Sequence, residues 1–191
     1  MKKILFYSLF TFITNGASAQ WSIQNVEFHN GSRIDDVFFV NDTVGWLAGG
    51  GSGVIYKTID AGANWTMSFP SGDYLRCIEF ATPELGFCGT LDNRFYKTTN
   101  GGVTWVDIAS TISPVPEGIC GLSAPSPEVI YGCGIWSNPA YVVKSTDGGE
   151  NWTEPSRLSE GCVWHQTAAN VLYADGNIYL AMAKITGGVP D

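Results

Sequence analysis

Three stretches of this chain say nearly the same thing: "YKTIDAGANWT" from Tyr56, "YKTTNGGVTWV" from Tyr96 and "VKSTDGGENWT" from Val143. Their constants are Thr58, Asp60, Gly62, Asn64 and Trp65, then Thr98, Asn100, Gly102, Thr104 and Trp105, then Ser145, Asp147, Gly149, Asn151 and Trp152. A short Asp or Asn side chain accepts hydrogen bonds from backbone N–H groups just downstream, and glycine takes the left-handed conformation that other residues resist. The hydroxyl adds a further local bond. The tryptophan buries a large ring whose N–H can find a carbonyl. The phrase therefore predicts a self-bonded turn followed by a plug.

The three tryptophans are 40 and 47 residues apart, a period that points to propeller blades of four antiparallel strands. The rest of each unit keeps the phase. Upstream stand "VFFVNDTVGWLAGG" from Val37, "IEFATPELGFCGT" from Ile78 and "CGLSAPSPEVIYGCG" from Cys120. Val37 and Phe39, Ile78 and Phe80, and Cys120 and Leu122 are read as matching pairs on one strand face. Gly45-Trp46 matches Gly86-Phe87, and Ile130-Tyr131 fills that place more loosely. Each unit is then strand A, a turn, strand B, strand C ending in lysine, the phrase, and strand D from the tryptophan.

The expected fold is all-β, a propeller with about four blades in this chain. The blades fall at about 33–70, 74–110 and 117–157, with a partial fourth at about 161–188. A strand D over 20–28 precedes them, because "WSIQNVEFHNGSRIDDVFF" from Trp21 aligns with "WTMSFPSGDYLRCIEF" from Trp65. The Trp21–Phe28 strand could close a four-bladed ring. The preferred reading is part of a larger ring, such as a seven-bladed one, because "ITGGVPD" is a decayed phrase without its tryptophan.

Residues 1–19 read as a signal peptide: Lys2 and Lys3, an apolar run from Ile4 to Ile13, and Ala17-Ser18-Ala19 before Gln20. The product is expected to be secreted, periplasmic or at the cell surface. Without Lys2 and Lys3, eight basic residues face eighteen acidic ones, for a net charge of −10. That charge argues against nucleic-acid and membrane-surface roles. Twenty-three glycines and nine prolines, with many aromatic and β-branched residues, suit short strands and tight turns.

The phrase resembles the Asp-box, or bacterial neuraminidase repeat, of sialidases, xyloglucanases, sortilin-type receptors and photosystem II assembly/stability factors. The fuller unit "GWLAGGGSGVIYKTIDAGANWT" looks most like the last of these and its exported bacterial relatives. The resemblance implies a structural role for the box, on the rim of the blades. It implies a non-enzymatic scaffold binding a protein or glycan, with a glycoside hydrolase as the rival reading. A sialidase would need three arginines on a carboxylate, a Tyr–Glu pair, an Asp acid/base and an Arg-Ile-Pro signature. The chain has Arg33-Ile34-Asp35, and its four arginines do not repeat in phase.

Asn100 in place of a carboxylate argues against a metal or catalytic role for Asp60 and Asp147. The only histidines, His29 and His165, are far apart, and no metal-binding spacing or cofactor motif occurs. No metal and no cofactor is expected. Ligand contact is placed on loops carrying Asp35, Asp73, Tyr74, Arg76, Asp92, Arg94, Glu117, Trp136, Trp164 and His165, where aromatics stand beside mixed charges. Asp35, Asp36 and Glu117 are the carboxylates a hydrolase would draw on. Cys77 with Cys88, and Cys120 with Cys133, are same-blade disulfide candidates in an exported chain, with small apolar filling as the alternative. Cys162 is left over. The N-x-S/T tripeptides at Asn30, Asn41, Asn64 and Asn151 are not read as glycosylation sites, since two of them lie inside the phrase.

Overall fold

In the computed structural model, which describes residues 33–134, 141–157, 171–174 and 177–180, every regular element is a β-strand except one 3-10 turn at Ala109–Thr111. The first sheet holds β1 (Ile34–Phe39), β2 (Gly45–Gly49), β3 (Val54–Thr58) and β4 (Thr66–Pro70). The second holds β5 (Leu75–Phe80), β6 (Gly86–Thr90), β7 (Phe95–Thr98) and β8 (Val106–Asp107). The third holds β9 (Gly121–Ser123), β10 (Ile130–Cys133), β11 (Tyr141–Ser145) and β12 (Thr153–Arg157). A hairpin, β13 (Val171–Ala174) and β14 (Asn177–Leu180), follows. Each sheet is antiparallel with its strands side by side in chain order. The first strands converge: β1 packs on β5, β5 on β9, and β9 on β13. The sheets thus fan out from one line, each face to face with the next.

That stacking explains the burial. The second strands β2, β6 and β10 are buried at every position, because both of their faces meet apolar side chains. The tight A-to-B turns are closed by short polar side chains: Asn41 Oδ1 accepts from the Thr43 and Val44 N–H groups, and Thr82 Oγ1 from those of Glu84 and Leu85.

The Gly-aromatic step has a steric cause. Phe80 pairs with Gly86, and a Cβ on Gly86 would lie 2.5 Å from the Phe80 ring. Phe39 pairs with Gly45, where the clash would be at 2.7 Å. Glycine lets a first-strand ring lie across the second strand. In the third sheet the first-strand residue is Ala124, and the second-strand position is Ile130. Small-with-large replaces large-with-none, so the space is filled either way.

Two expectations need correction. The third first strand starts at Gly121, and Gly132 pairs with Leu122 as Cys88 pairs with Ile78. Leu122, not Cys120, therefore occupies the Ile78 place. The second concerns the cysteines: Cys77, Cys88, Cys120 and Cys133 are all buried thiols outside any disulfide. Cys77 pairs with Gly89 and Cys88 with Ile78, so the two thiols face opposite sides of the second sheet and enter different cores. Cys133 pairs with Gly121 rather than Cys120, and its thiol donates to the Gly121 carbonyl. Burial raises the Cys77 and Cys88 thiols and holds Cys133 up at about 12, so they behave as apolar filling. The residues read as a signal peptide, those expected to form a strand over 20–28, Cys162 and the decayed phrase at Ile185 lie outside the described residues.

Candidate functional site

The repeated turn is built by its own side chains. Thr58 Oγ1 donates to Asp60 Oδ1 at 2.8 Å and accepts from the Gly62 N–H at 3.0 Å. Asp60 then accepts from the Asn64 backbone at 2.8 Å and from its side-chain amide at 2.7 Å. Ser145, Asp147, Gly149 and Asn151 repeat this pattern within about 0.2 Å. In the middle copy the polarity reverses: the Asn100 amide donates to Thr104 Oγ1 at 2.9 Å. Asn100 with Thr104 thus does the work of Asp60 with Asn64, and the turn needs no charge. These bonds lower the Asp60 carboxyl and hold Asp147 at about 2, led in each case by the downstream asparagine.

The second and third turns also dock on the sheet before them. Trp46 Nε1 and Lys57 Nζ both donate to the Gly101 carbonyl, at 3.3 and 2.8 Å, and Ser68 Oγ donates to Gly102. One junction later Lys97 Nζ meets Glu150 Oε1 at 2.5 Å. Trp105 lies in the core between the first two sheets, and Trp152 packs against the next core. Trp65 packs on Leu47, Val54 and Tyr56, on the far face of the first sheet. Trp152 Nε1 donates to Gly149, whereas Trp105 Nε1 is buried without a partner.

At one end of the sheets, loops bring most of the expected ligand-contact residues together. β1 bulges between Ile34 and Asp36, and β5 between Leu75 and Cys77. The extra residues are Asp35 and Arg76, at equivalent places in consecutive sheets, and the bulges aim them at each other. Arg76 Nη1 reaches Asp35 Oδ2 at 3.1 Å, while Arg33 forks onto the same carboxylate through Nε and Nη2. The Asp35 side chain is 0% exposed. Burial opposes its ionisation, but the two guanidiniums win and its carboxyl is lowered. Asp35 is therefore a neutralised anchor, not the open loop carboxylate expected from sequence.

Around this anchor, the Arg33 guanidinium sits over the Tyr74 ring at 5.9 Å, and the Tyr74 N–H donates to Asp92. Asn93, at φ +58°, donates its N–H to the Glu117 carbonyl. Asp73 accepts from the Tyr96 hydroxyl, and burial with Asp73 raises that phenol. Arg94 pairs with Asp107 at 2.6 Å, toward the outer strand. The Glu117 side chain is exposed. Trp136, Trp164 and His165 lie outside the described residues.

A second pair on the first strands joins Asp36, one of the carboxylates named from sequence for a hydrolase, with Glu79, which sequence reasoning passed over. Asp36 Oδ2 accepts the Ile78 N–H at 2.9 Å, and Glu79 Oε1 accepts the Ala124 N–H at 3.4 Å. Each carboxylate crosses to the next sheet and satisfies an N–H that the sheets leave unpaired. Burial raises both carboxyls, Glu79 to about 7, where Asp36 adds repulsion. Glu79 offered no sequence signal, since its strand position reads as an ordinary solvated acid. Among the described residues no group of three His, Cys, Asp or Glu side chains could hold a metal ion.

No protein-family model and no curated protein matches the chain. Solved structures do. YCF48 bound to a D1 peptide matches with a TM-score of 0.56 and 21% identity, over 68% of this chain and 43% of that one. The sheets are blades of a β-propeller. An ancestral GH74 enzyme matches at TM-score 0.66 and 18% identity, over 85% of this chain and 23% of that one. A GH74 enzyme of Niastella koreensis matches at 0.58 and 24%, over 78% and 26%. This chain spans less than half the length of each, and at these identities the likeness is one of fold.

Proposed function

We propose that the protein is an exported, non-enzymatic propeller with Asp-box turns, acting as a binding or assembly scaffold for a protein or glycan on its Arg33–Tyr74 end. The observation carrying this reading is the Arg33–Asp35–Arg76 cluster beside Tyr74. The carboxylate is consumed in holding two guanidiniums, and an arginine on an aromatic ring is the composition of a contact hot spot. The YCF48 neighbour, solved with a peptide bound, lends support by likeness of fold. Peptide and glycan arrays probed with the wild-type protein should retain one ligand class. Arg33→Ala and Tyr74→Ala should each weaken retention by about tenfold, roughly 1.4 kcal/mol. Retention unchanged in both variants would refute the assignment of this surface. Export rests on the leader, and a mature N-terminus other than the neighbourhood of Gln20 would refute it.

A second reading, glycoside hydrolase, draws on Glu79. A carboxyl still protonated near neutral pH beside an ionisable partner is what a general acid requires. Fluorogenic sialosides and β-glucans test it. Turnover lost in Glu79→Gln, Asp35→Asn or Glu117→Gln would replace the scaffold reading.

A further inference from the structure

The junctions between consecutive blades carry two equivalent recesses on the rim, away from the Arg33–Tyr74 end, and they differ in one informative way. The recess between the second and third sheets, about 240 Å³, contains Lys97, Val106, Gly149 and Glu150. Here the chain supplies its own anion: Glu150 lies on the Lys97 ammonium at 2.5 Å. The recess between the first and second sheets, about 270 Å³, contains Lys57, Thr66, Met67, Ser68, Gly102 and Val103. Lys57 occupies the Lys97 place and Val103 the Glu150 place, two residues before each tryptophan. Lys57 spends one N–H on the Gly101 carbonyl and lies 5.0 Å from the Trp46 ring centroid. Among the described residues no carboxylate pairs with it.

We propose that the Lys57 recess is a docking site for an extended peptide carrying an acidic residue beside an apolar one. The Lys97–Glu150 pair is the chain's own template, showing that a carboxylate fits on this lysine from the position of the following turn. At Lys57 that carboxylate must come from outside, and an ammonium has three N–H groups to offer. The walls favour an apolar neighbour: Met67 is 50% exposed and Val103 73%. β4 is the edge strand of its sheet, so its outer backbone groups can pair with an added strand. Among the described residues no aromatic side chain lines the recess to stack a sugar ring, which favours peptide over uronic acid. The overall charge of −8 does not forbid an acidic ligand, since at physiological salt it is screened beyond about 8 Å.

The test is methyl NMR titration with the acetylated, amidated peptide Val-Thr-Glu-Val-Thr, its glutamine counterpart, and glucuronate. The acidic peptide should shift Met67 and Val103 saturably. The glutamine peptide, and the Lys57→Gln protein, should bind at least about tenfold more weakly. Val103→Glu should close the site by restoring an internal carboxylate, and Glu150→Val should open a second one reported by Val106. Residues 103 and 150 are exposed, so both variants should fold, as circular dichroism will show. The proposal falls if the acidic peptide causes no shift, if Lys57→Gln or the glutamine peptide binds equally well, if Val103→Glu leaves the site open, if Glu150→Val opens no second site, or if only glucuronate binds.

Discussion

Between the first and second sheets the core is a set of rings. Trp46 stacks on Phe80 with centroids 3.5 Å apart, Trp105 stands edge-on to Phe80, and Phe69 packs against Tyr96 and Trp105. Between the second and third sheets the same places are filled differently. Phe87 replaces Trp46, Ala124 replaces Phe80, and the missing volume comes from Ile108, Ala109, Ile112 and Ile119. Those four lie on the connection from β8 to β9, residues 108–120, whereas the one from β4 to β5 spans only 71–74. The repeat thus fixes where the sheets meet without fixing what fills the junction. Where the first-strand ring is lost, the connecting chain folds inward to take its volume, and β8 shortens to two residues as the chain turns in.

The largest effect should come from emptying the ring junction. Phe80→Ala removes the ring shared by Trp46, Trp105 and Phe38 and should cost about 3–5 kcal/mol in urea unfolding. Ile112→Ala, in the junction filled by chain, should cost less, about 2–3 kcal/mol, because its neighbours on a loop can settle into the gap. Equal losses would show that the two junctions are equally rigid.

A second experiment exchanges the two solutions. Ala124→Phe alone should overpack against Ile130 and cost about 1–3 kcal/mol. Adding Ile130→Gly should recover part of that loss by recreating the Phe80–Gly86 arrangement. Additive losses in the double variant would mean that the pairing of ring with glycine is not the cause of the Gly-aromatic step.

The first strands offer a sharper contrast, because Asp36 bridges one junction at 2.9 Å and Glu79 the other at 3.4 Å. Burial raises the Glu79 carboxyl from 4.5 to about 7, so between those values the folded chain binds more protons than the unfolded one. Stability should therefore fall as pH rises from about 4.5 to about 7, and Glu79→Gln should flatten that slope. A slope that survives the substitution would assign it elsewhere, Asp36 first.

What the sequence disclosed follows the range of the forces. The turn was readable because its bonds close within seven residues, Thr58 to Asn64, and the glycine step because a ring and its partner face each other across one hairpin. Asp35 was misjudged because its second guanidinium comes from 41 residues away and is aimed there by a bulge. No alternation pattern reveals a bulge, whereas Cys77 and Cys88 fail to meet for a different reason, a continuous register that sets Cys77 opposite Gly89 and Cys88 opposite Ile78. Glu79 was invisible for a related reason: its acidity is set by burial between sheets, which belongs to the stack and not to the strand.

The smallest effect lies in the turns themselves. Each has two consecutive left-handed residues, and the first of them is Ala61, Gly101 or Gly148 in the three copies, at φ of +59°, +67° and +71°. A Cβ in that conformation costs about 1–2 kcal/mol, partly offset by the greater freedom glycine gives the unfolded chain. Ala61→Gly should therefore stabilise by roughly 0.5–1 kcal/mol, read as a rise in thermal midpoint. The reverse change should be graded by what the added methyl meets. Gly148→Ala brings it to 3.3 Å from the Pro127 carbonyl, while Gly101→Ala drives it to 2.9 Å from that of Pro83, beside the Lys57 ammonium. Gly101→Ala should be the costlier, since backbone cannot swing aside as a side chain can. If Ala61→Gly fails to stabilise, the first turn is already relaxed by its neighbours, and the three copies are less alike than their bonds suggest.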